Sequence, residues 1–570
     1  KIPALSPRET EVFVFREDVM KKVNVEALFL GPKSENQRFF KEMINFMIDE
    51  HIHWRRDFHP DDKQAVTLSE QHRQPFVETL DRAHETLLEL SDRLKAASMP
   101  WFSPRYLGHM NADTLMVANL AYMAALLYNP NNCAYEGSPA TTPLEIEVGK
   151  QLARLLGYDP EKAWGHITSG GTVANYEGLW MARNLKSIPL AAKTVKPDLV
   201  EGMTDWELLN MPTAHILDLV DQARDAGILE AMRDASVRGT GMRGQGLGKL
   251  LVPQSKHFSW SKAVDLLGIG RENMISIQVK DDYRMDTAHL KKTIDRLIRE
   301  QVPILGVVGV VGTTEEGAVD QIHEIARMKD QYEKEGISFY LHIDAAYGGY
   351  TRAIFLDEQD QFMPFDRMKQ TLHEQGVIHR EIDWPSRNVY EAFKAIPEAD
   401  SVTIDPHKMG YIPYAAGAFV VKDRRVLPLI SYFASYVFEE GDNNPMLLGS
   451  YIMEGSKAGA AAAAVWAAHR TVPLNVTGYG RIIGRGIEGA RRFYDSLLNS
   501  EPMEIDGRRF RMAPLTRPDF NIVDFAVNEE GNTSLEAMDH LNRHLYGLCS
   551  YESGPVYADD WITSKTELSH

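Results

Sequence analysis

Short apolar runs alternate with amphipathic helical segments through the middle of this chain, and that alternation limits the fold more than any other feature. Five runs have the character of buried strands: Leu250–Val252, Ile275–Val279, Ile304–Val311, Phe339–Ile343 and Val402–Ile404. Between two of them Asp286 can cap a helix whose apolar residues recur at helical spacing: Leu290, Ile294, Leu297 and Ile298. Strands that alternate with helices form a mainly parallel sheet covered on both faces. The sequence therefore predicts an α/β fold.

The two ends of the chain have different patterns from the middle. Residues 1–130 are helical in pattern, as in Glu35–His53, and residues 131–474 form the predicted large domain. Residues 475–570 predict a smaller C-terminal α+β domain with these elements: a helix over Ile482–Leu498, strands near Phe510 and over Phe520–Phe525, and a helix over Leu535–Leu548. A helix that begins near Pro143 would open the large domain, with these residues on its apolar face: Leu144, Val148, Leu152, Leu155 and Leu156.

Charge and cysteine content exclude several classes of protein. The chain has 62 Lys and Arg against 80 Asp and Glu, a net charge of −18, which argues against a nucleic-acid phosphate binder. Its two cysteines, Cys133 and Cys549, provide neither a disulfide framework nor a Cys-based zinc cluster, and we predict no metal site. The longest run of small apolar residues, Ala458–Ala468, is shorter than the roughly 18–20 residues that span a bilayer. We expect a soluble cytoplasmic protein with no membrane partner.

A glycine-rich turn precedes one predicted helix. Thr168-Ser169-Gly170-Gly171-Thr172 leads into the helical stretch Val173–Arg183. Glycines let backbone amides approach a ligand closely, and a helix N-terminus favours an anion, so this turn can hold a phosphate. In isolation such a segment is more often an ordinary turn, and it matches neither the Walker A nor the dinucleotide-binding spacing.

Three further segments place chemically active side chains near strand ends, where ligands bind in open α/β sheets. Asp344 follows the strand residues in Leu341–Gly349, Lys408 lies in Asp-Pro-His-Lys after Val402–Ile404, and His257 follows Leu250–Val252. Individually they could be a capping carboxylate, a solvated lysine and a half-buried histidine. Desolvation or neighbouring charge could lower the pKa of Lys408 and make its amine nucleophilic. A phosphate cradle, an Asp and a Lys amine together indicate a pyridoxal 5′-phosphate site.

The order of these motifs resembles the group II decarboxylases of the pyridoxal-phosphate fold type I enzymes. The motifs are Thr-Ser-Gly-Gly-Thr, His-x-Ser-x-x-Lys-Ala, His-Ile-Asp-Ala-Ala-Tyr-Gly-Gly and Asp-Pro-His-Lys. Other stretches are similar to the bacterial tyrosine decarboxylases in particular: Gly108–Asn111, Tyr135–Thr141, Asp205–Thr213, Asp405–Tyr414 and Ile430–Gly441. The resemblance extends from about Val25 to about Ser564. It implies a fold type I architecture and a homodimer with a shared active site.

Around the cofactor ring, the resemblance implies a role for each matching residue. Lys408 would bind the cofactor as a Schiff base, and Asp344 would pair with the ring nitrogen. His257 would stack on one face of the ring and Ala346 would pack on the other. Thr314, in Gly312-Thr313-Thr314, would lie near Asp344.

Beyond the ring, the resemblance implies phosphate, substrate and proton-transfer residues. The phosphate would bind to Gly170, Gly171, Thr172 and His407, and Ser456 would reach the phosphate of the partner subunit. His109 and Tyr414 would bind substrate. Tyr436, on a segment of flap-like composition, would return a proton to Cα, with packing on the dimer interface as its alternative.

The resemblance favours decarboxylation of an aromatic L-amino acid, with L-tyrosine giving tyramine and CO₂. A decarboxylase of glutamate or aspartate is the first alternative; it would need a cation for the side-chain carboxylate, and the sequence alone does not place one. Further alternatives are a carbon–carbon lyase or aldehyde-forming enzyme on the same scaffold, and a non-catalytic paralogue. Because the family normally continues with further strands, we also expect the C-terminal domain in this sequence to be incomplete.

Overall fold

The computed structural model of the protein describes residues 22–242, 246–432, 446–550 and 560–566, and it begins with helices. These helices are α1 (Gln37–Asp57), α2 (Leu68–Gln71), α3 (Gln74–Ala97) and α4 (Met116–Leu126). The helical character predicted for the N-terminal segment is confirmed. No residue of α3 is buried within the chain, whereas α4 packs closely against a later helix, α16 (Gly459–Thr471).

The central part of the chain alternates strands and helices as the apolar pattern predicted. Its strands are β1 (Trp164–Thr168), β2 (Lys249–Pro253), β3 (Met274–Ile277), β4 (Ile304–Val310), β5 (Tyr340–Ala345), β6 (Ser401–Ile404) and β7 (Gly417–Val421). The helices before α16 are α5 (Thr141–Leu156), α6 (Gly171–Val195), α7 (Asp205–Leu209), α8 (Thr213–Asp225), α9 (Leu229–Ala235), α10 (Val237–Thr240), α11 (Ser259–Leu266), α12 (Thr287–Arg299), α13 (Ile322–Lys334), α14 (Phe365–Glu374) and α15 (Arg387–Ala395).

The seven strands form one mainly parallel sheet in the order β1-β7-β6-β5-β4-β2-β3. The neighbouring pairs β6–β5, β5–β4, β4–β2 and β2–β3 are parallel, whereas β7 is antiparallel to both β1 and β6. The apolar runs predicted the five parallel strands, and the antiparallel pair β1 and β7 was not predicted. The predicted mainly parallel sheet is confirmed.

Register places the polar residues at one edge of the sheet. Val310 in β4 pairs with Asp344 in β5, and Asp344 pairs with Thr403 in β6. Because these strands are parallel, their carboxyl ends lie together, and Asp405 and Lys408 follow β6 directly beside Asp344. The parallel pairing of β5 and β6 therefore brings the motif of Asp344 and the motif of Lys408 to the same edge of the sheet.

Local sequence explains the helices that cover the sheet. The side chain of Asp286 accepts hydrogen bonds from the backbone N–H groups of Ala288 and His289 and so caps α12, as predicted. Helix α5 lies so close to β1 that a Cβ on Gly149 would stand 2.0 Å from the carbonyl oxygen of Gly165. Only glycine allows that approach.

Over its described residues, the C-terminal part forms a small antiparallel sheet with two helices. Its elements are α17 (Tyr479–Leu498), β8 (Met503–Ile505), β9 (Arg508–Pro514), β10 (Phe525–Glu529) and α18 (Leu535–Leu548), with strand order β10-β9-β8. The predicted strand Phe520–Phe525 was wrong in position, because β10 only begins at Phe525. Phe520 instead packs into the core against Tyr347 and Phe393, which holds this part of the chain out of the sheet. The boundaries after residues 130 and 474 stay predictions.

In the described ranges, we find no helix that combines the length and the apolar character needed to cross a membrane.

Candidate active site

A cavity of about 300 Å³ lies at the carboxyl edge of the parallel strands, beside the N-terminus of α6. Residues from the four motif segments line it. They are Ser169–Thr172, then His257 and Phe258, then Asp344, Ala346 and Tyr347, and finally Asp405, His407 and Lys408. Gly312, Thr313 and Thr314 add the end of the segment after β4. The cavity thus contains residues from all four motifs that the sequence singled out.

The glycine-rich turn presents backbone amides to this cavity. Gly170 precedes α6 without a side-chain cap, so the first N–H groups of that helix are available to an anion. A Cβ on Gly171 would stand 2.8 Å from Oδ2 of Asp405 and 3.0 Å from Cβ of Ala346. The N–H of Ser169 already donates to Oε1 of Glu454 at 3.0 Å. The glycine-rich turn therefore has no room for a side chain at Gly171, and Glu454 holds the turn in place from outside the cavity.

Asp344 is a buried carboxylate that accepts three hydrogen bonds. Its Oδ2 accepts from Nδ2 of Asn175 at 2.8 Å and from Nε1 of Trp260 at 3.1 Å. Its Oδ1 accepts one longer bond, 3.3 Å, from the N–H of Ala346. These donors orient the carboxylate and leave Oδ1 with capacity for a further donor.

His257 is oriented by a hydrogen-bond chain that begins at the same asparagine. Nδ2 of Asn175 also donates to Oγ of Ser259 at 3.0 Å, and that hydroxyl lies 2.9 Å from Nδ1 of His257. The N–H of Ser259 donates to the same Nδ1, so this nitrogen is an acceptor and the neutral ring carries its proton on Nε2. Burial lowers the pKa of His257 and outweighs the opposing effect of the Asp344 carboxylate.

Lys408 forms an ion pair with Asp405, a residue of its own motif. Nζ of Lys408 lies 3.0 Å from Oδ2 of Asp405, whose side chain is 1% exposed. Burial lowers the pKa of Lys408, but the charge and hydrogen bond of Asp405, with smaller effects of Asp344 and Tyr414, outweigh burial, and the pKa is raised. The expectation of a lowered pKa for Lys408 was therefore wrong, because the neighbouring charge that matters is an anion.

The remaining predicted ring and phosphate residues divide into two groups. Cavity-lining residues are Gly170, Gly171, Thr172, Thr314, Ala346 and His407. Ser456 does not line the cavity in this chain; its exposed side chain accepts a hydrogen bond from Asn131 at 3.3 Å. Tyr436 lies outside the described residues.

The two predicted substrate residues lie beside the cavity, outside its lining. The Tyr414 ring lies 4.3 Å from that of His407, and its hydroxyl donates to Oδ1 of Asn111 at 2.8 Å. His109 lies within electrostatic range of Lys408 and Glu315, and burial lowers the pKa of its side chain.

Sequence reasoning missed four site residues that the structure brings in: Asn175, Ser259, Trp260 and Asp405. Ser259 and Asp405 stood inside recognised motifs without an assigned role. Asn175 lies four residues after Gly171, one helical turn into α6, so helical spacing could have placed it on the cavity side.

Comparison with known proteins agrees with this geometry. The pyridoxal-dependent decarboxylase conserved domain matches residues 231–356 and 385–510, and a domain described as tyrosine decarboxylase, C-terminal, matches residues 489–570. The chain is 49% identical to an L-tyrosine decarboxylase of Levilactobacillus brevis over 96% of its own length and 87% of that protein. It belongs to the pyridoxal-dependent decarboxylase family. A second relative, the L-tyrosine decarboxylase of Enterococcus faecalis, is 49% identical over 96% of this chain and 88% of that protein.

A solved structure supports the fold. The Catharanthus roseus tryptophan decarboxylase, crystallised with L-tryptophan, superposes with a TM-score of 0.58 at 14% identity, covering 96% of this chain and 92% of that one. The predicted fold type I architecture is confirmed for this pyridoxal-dependent decarboxylase. Its cofactor class, pyridoxal phosphate, and its reaction class, carboxy-lyase, are confirmed by the family.

The residues present fit pyridoxal phosphate. The backbone amides at the start of α6 can hold a phosphate. Oδ1 of Asp344 can accept a hydrogen bond from the protonated ring nitrogen, and the amine of Lys408 can react with the aldehyde carbon. Asp405 has a second oxygen, Oδ1, that is buried without a hydrogen-bond partner among the described residues. A buried acceptor of this kind is typical of a site that is completed by a bound group.

Proposed function

We propose that this chain removes CO₂ from L-tyrosine and forms tyramine, with pyridoxal phosphate as cofactor. One observation carries the proposal: four separated segments bring Lys408, Asp344, His257 and the glycine-rich turn to one cavity. The assigned roles of these side chains are likewise proposals, and their positions in the cavity support them.

The charge of the cavity lining supports an aromatic substrate. An acidic amino acid would need a cation to bind its side-chain carboxylate. Among the described residues that line the cavity, Lys408 is the only Lys or Arg, and its ammonium is already paired with Asp405. The two L-tyrosine decarboxylases that are 49% identical to the chain support the same choice.

When bound, pyridoxal phosphate supplies an electron-accepting ring that stabilises the carbanion left after loss of CO₂. Asp344 would hold a proton at the ring nitrogen, because its free acceptor capacity is on Oδ1 and its orientation is held by hydrogen bonds from Asn175 and Trp260. His257 and Ala346 would pack on opposite faces of the ring, and Thr314 would lie beside Asp344. Lys408 would provide the amine that holds the cofactor through its aldehyde carbon.

The phosphate would be held by the α6 turn. Gly171 and Thr172 begin the helix, Gly170 precedes it, and His407 lies beside Gly170, because a Cβ on Gly170 would stand 3.5 Å from Cε1 of His407. His407 accepts the N–H of Ala416 at Nδ1, which leaves Nε2 to carry the proton of the neutral ring. His109 and Tyr414 would contact the substrate from the rim of the cavity.

We assign the return of a proton to Cα to Tyr436. Tyr436→Phe should still bind cofactor and release CO₂. Without the returned proton, O₂ and water would convert part of the decarboxylated substrate to an aldehyde, ammonia and hydrogen peroxide in place of some amine. Packing alone would leave the amine yield intact, since Phe preserves the ring. The measurement is the ratio of aldehyde to amine under air; an unchanged ratio with normal turnover would favour His257 as the proton donor.

We also propose a homodimer whose subunits share the active site. The helices α1 and α3 expose large apolar side chains, including Phe46 and Trp54 at 50% and Leu87 at 62%, and such a surface is typical of a protein interface. Ser456 would reach the partner's phosphate. Light scattering should give twice the chain mass, and substituting Glu for Leu87 should reduce it.

Complementation tests the shared site. Neither Lys408→Ala nor Ser456→Asp chains should be active alone, whereas mixed dimers should regain activity at one site of the two. Recovery that never exceeds the sum of the separate variants would contradict the contribution of Ser456 in trans.

We place the enzyme in the cytoplasm, because a chain of 570 residues with two cysteines has the composition of proteins from a reducing compartment. Cell fractionation followed by immunoblotting tests this placement, and recovery of the protein outside the cytoplasmic fraction would contradict it.

A product assay tests the function directly. Holoenzyme is incubated with tyrosine, phenylalanine, tryptophan, glutamate and aspartate separately, and products are identified by mass. We expect tyramine from tyrosine as the dominant product. Preferential decarboxylation of glutamate or aspartate would overturn the substrate assignment, and aldehyde as the main product from the wild type would overturn the reaction.

A further inference from the structure

Asp405 is the most deeply buried charged residue that lines the cavity, and it has no role in the proposed reaction. Its side chain is 1% exposed, and it lies directly after β6, three residues before Lys408. A buried carboxylate is costly unless it is paired and hydrogen-bonded. The pairing that compensates Asp405 therefore indicates why the site contains it.

The partners of Asp405 are few. Oδ2 lies 3.0 Å from Nζ of Lys408 and 3.4 Å from Nε2 of His407. Within the described ranges, Lys408 is the only Lys or Arg within 4.0 Å of this carboxylate. Asp344 differs, because its three hydrogen-bond donors compensate it without Lys408.

We propose that Asp405 is the positioning counter-ion of Lys408, which holds the free side chain as a paired ammonium on the phosphate side of the cavity. The proposal rests on the proposed role of Lys408 as the residue that binds the cofactor. Substrate enters as an ammonium and must lose one proton, and the released Lys408 amine takes up one. Proton number is therefore conserved, and the ion pair with Asp405 stabilises the released form.

A second buried lysine shows what the carboxylate changes. Lys186 donates to the carbonyl oxygen of Ser338 at 2.9 Å, and no carboxylate of the described residues lies within ion-pair distance of it. Burial, together with the charge of Lys329, lowers its pKa to about 7. The side chain of Lys408 is also largely buried, at 16% exposure, yet its pKa is raised. The pKa of Asp405 is lowered in return, because Lys408 and His407 outweigh the effect of burial.

Other titratable groups around Lys408 act less strongly than Asp405. Asp344 on β5 and Tyr414 after β6 also raise the pKa of Lys408, but each has a smaller effect than Asp405. His257 and His109 are within electrostatic range of the amine, and burial lowers the pKa of each imidazole. Asp405 is therefore the group whose removal should change the charge of Lys408 most.

The test uses apoprotein and acetic anhydride, which acetylates only unprotonated amines. Acetylation of Lys408 is measured by peptide mass spectrometry from pH 7 to 11, relative to exposed lysines in the same digest. In the wild type, half-maximal reactivity should lie above the ordinary lysine value of 10.5. In Asp405→Asn, loss of a close opposite charge should raise the rate at pH 8 at least about tenfold.

Two comparison variants identify the cause. Asp344→Asn removes a carboxylate from the same cavity and should raise the rate less, whereas Asp405→Glu retains the charge and should keep Lys408 slow. An unchanged rate in Asp405→Asn would overturn the proposal. If that variant does not fold, the wild-type profile decides, because half-maximal reactivity below 10.5 would also overturn it. Borohydride labelling of Lys408 in holoenzyme tests the proposed function separately.

Discussion

Asp344→Asn is the substitution that tests the proposed ring-nitrogen contact most directly. In the wild type Oδ2 accepts from Asn175 at 2.8 Å and from Trp260 at 3.1 Å, while Oδ1 accepts only the 3.3 Å bond from Ala346. Because Asn175 and Trp260 are donors, the amide oxygen of the introduced Asn must take the Oδ2 position. Its NH₂ group then takes the Oδ1 position.

That orientation places a donor where the carboxylate had an acceptor. The NH₂ group faces the N–H of Ala346 and cannot accept a hydrogen bond from the protonated ring nitrogen. A hydrogen bond to a charged group contributes about 1.5–3 kcal/mol. At about 1.4 kcal/mol for each factor of ten, cofactor affinity should weaken about 10- to 150-fold. Turnover should fall by orders of magnitude, because the ring also loses the charge that keeps its nitrogen protonated.

The assay is an equilibrium titration of apoprotein with pyridoxal phosphate, followed by tryptophan fluorescence. Asp320→Asn is the matched control, because Asp320 is also buried and accepts backbone N–H groups from Met285 at 2.7 Å and Val310 at 2.8 Å, but it does not line the cavity. This control should keep cofactor affinity. Wild-type affinity and turnover in Asp344→Asn would refute the assignment of Asp344 to the ring nitrogen.

Three further perturbations test other parts of the structure. Borohydride reduction of holoenzyme should fix the cofactor on Lys408, as read by peptide mass, and Lys408→Ala should abolish CO₂ release; label on another lysine would be contrary evidence. Gly171→Ala should overpack the cradle and lower apoprotein stability in urea by about 1–3 kcal/mol, whereas Gly489→Ala, with open space at its Cβ, should not; equal urea midpoints would contradict the narrow cradle. Burial raises the pKa of Asp524 from 3.8 to about 7. Its contribution to the free energy of unfolding is therefore fully present below pH 3.8 and is lost as the pH rises from 3.8 through 7. Asp524→Asn should therefore flatten the fall in apoprotein stability between pH 5 and 8, and an unchanged slope in urea titrations would show that Asp524 is not its source.

Much of the site could be predicted because its residues stand in short motifs next to strands. Apolar runs located the parallel strands, and residues at their ends were correctly expected to lie in one cleft. The position of Ser456 differs: a residue proposed to act in the partner's site lies outside the cavity of its own chain. The spacing of apolar residues along the sequence does not indicate which residues contact a second subunit.

The sequence by itself determined the parallel sheet, the helix capped by Asp286 and the identity of the groups in the cavity, because these depend on periodicity and on local hydrogen bonding. Only the tertiary structure decided how those groups affect one another. Asp405 and Lys408 are three residues apart, but the sign of the pKa change depends on whether burial or the 3.0 Å ion pair is stronger. Likewise Asn175 joins Asp344 to Ser259 and His257 only because α6 packs beside β5 and α11. Electrostatic and hydrogen-bond effects depend on distance and burial in three dimensions, and residue order alone specifies neither.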